Sequence, residues 1–94
     1  MQPLREMFPV RDLHLCAFLL LSGVPLVGVR RLAPSRVEWC FANPATCEKL
    51  ALDFLSGRAS CNARQFVEAL RRARDLRDSA ATSEVNHDRA TNPT

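Results

Sequence analysis

The hydrophobic pattern has one dominant stretch, residues 12–23, Asp-Leu-His-Leu-Cys-Ala-Phe-Leu-Leu-Leu-Ser-Gly. Between Asp12 and Gly23 only His14 and Ser22 are polar. At about 100° per residue the leucines and Phe18 point all round the axis. Asp12 suits an N-cap and Gly23 the left-handed residue that closes a helix. A helix apolar on every side has to be covered on every side. Before it, residues 7–10 read as a short strand that Pro9 confines to a sheet edge. After it the period changes to two. Residues 25–32 and 36–42 flank Ala33-Pro34-Ser35, and Val37, Trp39 and Phe41 alternate with Arg36, Glu38 and Cys40. That pattern predicts an antiparallel hairpin with one buried face. Trp39 and Phe41 are read as core anchors rather than a base-stacking platform, because they alternate with polar residues on a short strand.

Two further helices follow. Asn43-Pro44 supplies a cap and a first-turn proline, Cys47, Leu50, Ala51 and Phe54 recur at helical spacing, and Gly57 ends the run. Leu52 and Leu55 widen its apolar arc, a hint of a second contact surface. The third helix opens at Asn62, with Gln65 as a capping-box variant and a stripe of Phe66, Val67, Leu70 and Ala73. Its polar face is a ladder at four-residue spacing: Arg64, Glu68 and Arg72, then Arg71 with Asp75 and Arg74 with Asp78. From Ser79 the periodicity stops, so the expected domain spans residues 7–78 and residues 79–94 are expected to form a disordered tail. The predicted fold class is α+β, a small antiparallel sheet packed by three helices in the order β-α-β-β-α-α.

Composition adds limits. The chain has 94 residues, 47% hydrophobic and 24% charged, enough for one small globular domain. The basic excess, 13 lysines and arginines against 10 acids, is modest. Arginine far outnumbers lysine. Arginine suits phosphate, but the bias is read first as base composition. Cys16, Cys40, Cys47 and Cys61 form no CxxC pair and no Cys/His cluster with zinc spacing, so free thiols in a reducing, cytoplasmic setting are expected. The weakly charged stretch from Leu13 to Val29 falls short of the roughly 20 residues a membrane helix needs, and glycines and Pro25 interrupt it. A membrane partner is therefore not expected.

Catalytic patterns are missing. No Gly-rich phosphate loop or HExxH occurs. His14 and Cys16 diverge by about 200° on one helix, and no isolated carboxylate pair stands in an apolar stretch. No catalytic residue, metal site or cofactor is assigned, and an enzyme is not expected.

Taken together, Phe8-x-x-x-Asp12-Leu13-x-Leu15-x-Ala17-Phe18-Leu19, Gly23, Val37-x-Trp39-x-Phe41-x-Asn43-Pro44, Phe54-Leu55-x-Gly57 and Asn62-Ala63-Arg64-x-Phe66-Val67-x-Ala69-Leu70 resemble a family of short domain-of-unknown-function proteins (DUF5659-like) of bacteria, archaea and mobile elements. Val10 and Trp39 depart from its pattern. The resemblance spans residues 8–76 and implies a small α+β domain, with no activity and no functional residue to carry over.

Two functions follow as expectations. The first is a non-enzymatic protein-interaction module that self-associates or binds another protein through Leu15, Phe18, Leu19, Leu52 and Leu55. The alternative is an accessory nucleic-acid-binding protein of a mobile element or phage. Its contacts would be Arg30, Arg31 and Arg36, which lie near one turn and lack obvious acidic partners in the sequence.

Overall fold

The computed structural model describes residues 6–91, with side chains described for residues 6–80. The element order is β1 (Phe8–Val10), α1 (Leu13–Leu21), β2 (Leu26–Ala33), β3 (Arg36–Phe41), α2 (Pro44–Leu55) and α3 (Ala63–Thr91). The strands form one antiparallel sheet in the order β1-β3-β2. This is the α+β arrangement that the sequence pattern predicts. In register, Val10 and Val29 flank Trp39, Phe8 and Leu26 flank Phe41, and Arg30 stands opposite Glu38. Extra residues in β2, between Leu26 and Gly28 and between Arg31 and Ala33, break its register with β3.

Capping chemistry sets both ends of α1. The Leu15 N–H donates to Asp12 Oδ2 at 2.8 Å. At the other end Gly23 takes φ +86°. Its N–H reaches the Leu20 carbonyl at 3.0 Å and the Val24 N–H reaches the Leu19 carbonyl at 3.2 Å. This is the two-bond Schellman closure, with Val24 and Leu19 both in the core behind it. α2 ends the same way: Gly57 at φ +82° bonds to the Phe54 carbonyl and Arg58 to that of Asp53. The start of α2 is different. Asn43 is its N-cap residue but makes no side-chain cap bond. It instead takes a left-handed backbone, φ 57°, ahead of Pro44, a conformation asparagine tolerates better than most residues.

One core joins the layers: Val10, Val37, Trp39 and Phe41 of the sheet, Cys16 and Leu19 of α1, Cys47 of α2 and Ala73 of α3. Trp39, Phe41 and Leu19 are its largest fully buried side chains. At about 1.5–3 kcal/mol for each large apolar side chain buried, this cluster rather than helix propensity holds α1 in place. The side of α1 that the sheet does not reach is covered within the chain. α3 packs along it, and the Phe18 ring stacks on Phe54 of α2 with centroids 5.3 Å apart.

α3 buries Ala69 and Ala73, with Phe66, Leu70, Leu76 and Ala80 half-buried. Small residues at its centre let it lie against the leucine-rich α1. Val67, expected in the stripe, is 52% exposed; it stands about 100° round the helix from Phe66 and misses the contact. The helix continues to Thr91, into the stretch 79–94 expected as a disordered tail. No Gly or Pro interrupts it there before Pro93, and among the described side chains Ala80 still packs on the core. Residues 92–94 of that stretch lie outside the described residues.

The positive φ at Gly23 gives a direct test. A Cβ there meets no atom within 4 Å, so Gly23→Ala carries only the backbone penalty. It should lower the unfolding free energy by about 1 kcal/mol. Gly28, also open but without a positive φ, should accept Ala with unchanged or slightly raised stability. Urea denaturation of the two variants beside the parent chain measures both.

Candidate functional site

The central strand is buried on both faces, not one. Val37, Trp39 and Phe41 face the helices as the alternation predicts. Glu38 and Cys40, expected on an open face, are 3% and 7% exposed. The reason is local. Arg11, just after β1, donates from Nε to Glu38 Oε2 at 3.3 Å, and Arg30 of β2 donates from Nη2 to Oε1. Both arginines stay more than half exposed while the carboxylate beneath them is covered. One carboxylate on the middle strand thus ties down cations from both neighbouring strands. The bond from Arg30 is the main cause that holds the Glu38 carboxyl below its ordinary value of 4.5, helped by the bond from Arg11 and opposed by burial. Cys40 lies between Pro9 and Gly28 in register.

These contacts revise the expected arginine site. Arg30 is not without an acidic partner, because Glu38 faces it across the ladder. The Arg31 Nε lies 3.4 Å from the Ala33 carbonyl oxygen. Of the three, Arg36 is exposed and makes no ion pair among the described residues. On α3 the ladder closes at Arg64–Glu68, 3.7 Å. Asp78 pairs with Arg77 rather than Arg74, and Arg71, Arg74 and Asp75 make no ion pair among the described residues.

The expected interface leucines separate into two groups. Phe18 and Leu19 are 7% and 0% exposed and Leu15 is half-buried. With α2 and α3 covering α1, Phe18 and Leu19 serve the core and are not offered to a partner. Leu52 and Leu55 are 60% and 73% exposed. They lie on the exposed side of α2 with Glu48 and Lys49, Leu55 bordering the buried Ala51 and Leu52 standing further round the helix.

A cleft of about 210 Å³ opens where the start of α1, the β2–β3 turn and α3 meet. Leu13, Val37 and Trp39 line it, with Ser35 and three arginines, Arg11, Arg36 and Arg77. The Trp39 indole Nε1–H is buried and finds no acceptor among the described residues. Arg11 and Arg77 lie far apart in sequence and were not expected to meet. The available signal was helical phase: Arg77 falls on the same side of α3 as Phe66 and Ala73, where an apolar residue is the rule.

Among the described residues no group of three His, Cys, Asp or Glu side chains is placed to hold a metal ion, and no helix is long and apolar enough to cross a membrane. All four cysteines are free; Cys16, Cys40 and Cys47 are buried and Cys61 is exposed. Burial pushes the Cys16 thiol up to about 12, against the pull of Arg72. It also raises Cys40 and Cys47, and the Cys47 Sγ–H donates to the Ala42 carbonyl at 3.2 Å. In comparisons with known proteins the chain matches no family model, no curated protein and no solved structure.

Two tests follow from these groups. Ellman's reagent at neutral pH should titrate Cys61 rapidly in the native protein and the other three thiols only on unfolding, since they are buried and protonated. Rapid reaction of a second thiol would contradict the burial. For Glu38, a depressed carboxyl stabilises the fold above its unfolded value and loses that contribution as pH falls through the folded one. Glu38→Gln should therefore cost about 1–2 kcal/mol at neutral pH, limited by the solvent around both arginines. The difference from the parent should shrink progressively below about pH 4.5. Urea midpoints measured across that range check the sign.

Proposed function

We propose that the chain is a non-enzymatic interaction module that self-associates through the outward face of α2. The observation that supports this is the pair Leu52 and Leu55, 60% and 73% exposed on a helix that buries Cys47 and Ala51 in the core. Large leucines one turn apart form the start of an apolar patch, which monomeric proteins tend not to leave open when it is contiguous. A second copy is the partner chosen because Glu48 and Lys49 beside the leucines carry opposite charges. The patch has no net charge on a chain of net charge +3, so identical copies can meet there without the repulsion their overall charge imposes elsewhere. A domain this small also gains from burying more apolar surface. The resemblance to the domain-of-unknown-function family belongs to the same reading. Its motif residues stand at caps, as Asp12 does, and in the core, as Leu19 and Phe41 do.

Light scattering coupled to size exclusion tests the reading. The parent chain should elute at about twice its monomer mass of 10.5 kDa. The double variant Leu52→Glu/Leu55→Glu, exposed at both positions, should keep its helical circular dichroism and elute as a monomer. A monomeric parent at high protein concentration, or a dimer that survives both substitutions, would overturn it.

A further inference from the structure

We propose that the cleft between the start of α1, the β2–β3 turn and α3 is a phosphoryl-binding site, with Arg36, Arg77 and Arg11 as cationic ligands and Trp39 in its wall. The site goes beyond self-association and does not depend on it, since Leu52 and Leu55 do not line the cleft.

Three observations converge. First, three arginines from three separate parts of the chain line one space of about 210 Å³. Like charges gather this way at an energetic penalty unless something negative enters. Second, the carboxylates nearby do not satisfy them. Arg36 has no ion-pair partner among the described residues. Arg11 uses its Nε on Glu38, which Arg30 already engages from β2. Arg77 uses its Nε on Asp78. A guanidinium has five N–H donors, so among the described residues both keep their terminal nitrogens for a ligand. Third, Trp39 is 2% exposed and its Nε1–H has no acceptor among the described residues. An orphaned buried donor costs about 1–3 kcal/mol and calls for an explanation. The N–H itself has no accessible surface, so an oxygen of an anion in the cleft that Trp39 lines reaches it only as the wall opens.

The ligand chemistry follows from the donors. Arginine forks match phosphate oxygens in pairs. Cations arriving from several elements suit a tetrahedral group with oxygens on every side better than a flat carboxylate. The Ser35 hydroxyl at the turn can donate to the same group, and Leu13 and Val37 offer an apolar wall to whatever the phosphoryl group carries. The phosphoryl group could belong to a free phosphate monoester or to a nucleic-acid backbone, and the two are separable by experiment.

Trp39 is the sole tryptophan of the chain, so one indole N–H resonance in a proton–nitrogen correlation spectrum reports on the cleft. Inorganic phosphate is titrated into the full chain at constant ionic strength, with chloride as the balancing salt. The indole proton should shift downfield and saturate at about millimolar phosphate. Arg36→Ala, at an exposed turn position, should weaken binding about tenfold or more. Arg71→Ala, which removes the same charge from an exposed position on α3 that does not line the cleft, should leave it within about twofold. Phenyl phosphate and a short single-stranded deoxythymidine oligomer are then titrated in turn. If the monoester is the tighter, the source is a free ligand; if the oligomer is, the source is a nucleic-acid backbone. Either result supports the site. No saturable indole shift with any of the three, or a shift that Arg36→Ala leaves unchanged, overturns it.

Discussion

Everything in this small domain depends on keeping water away from α1. Nine residues with one polar side chain, His14, cannot present a wet face, so the chain must supply cover from more than one direction. The sheet gives one wall, through Trp39 and Phe41. α2 gives Phe54, stacked on Phe18, and α3 gives a row of alanines narrow enough for close approach. The positions of the other elements follow. β3 has to be central because it carries the largest apolar side chains against α1. α3 has to run back along the helix that the sheet leaves half open. Remove the all-round apolar helix and there is no reason for the last two elements to return.

Most of this was legible in the sequence because the signals were local. Asp12, Gly23, Gly57 and Asn62 each mark a helix end through a bond to the backbone within a few residues, and all four ends match their expected chemistry. Asn43 is the exception: its type was read as a side-chain cap, and it serves through backbone tolerance ahead of a proline. The strand alternation placed Val37, Trp39 and Phe41 correctly for the same reason, since a period of two needs no knowledge of the partner strand.

What stayed hidden was non-local. Glu38 looked like a solvent-facing residue of an alternating strand. Only the register, which sets Arg30 opposite and brings in Arg11 from just after β1, turns that position into a covered ion-pair centre. The same register removes Arg30 from the set of unanswered cations. Covering α1 within the chain likewise reassigns Phe18 and Leu19 from a contact surface to the interior, while Leu52 and Leu55 keep their exposure. Val67 was a different kind of miss, because helical phase alone separates it from the stripe that Ala69 and Ala73 define. The cleft bordered by Arg11, Arg36 and Arg77 joins residues from both ends of the chain, and no spacing rule connects them.

The open sheet has two free margins, and each is poorly suited to receive another strand. On one side β1 is three residues long and Pro9 removes a donor from its middle. On the other, β2 is broken twice by extra residues and carries two adjacent arginines. Growth of the sheet by addition of like strands, the route to fibrils and to swapped assemblies, is therefore blocked at both borders. Neither margin offers an unbroken backbone ladder, and the regular hydrogen-bonding groups of this fold are turned inward on β3.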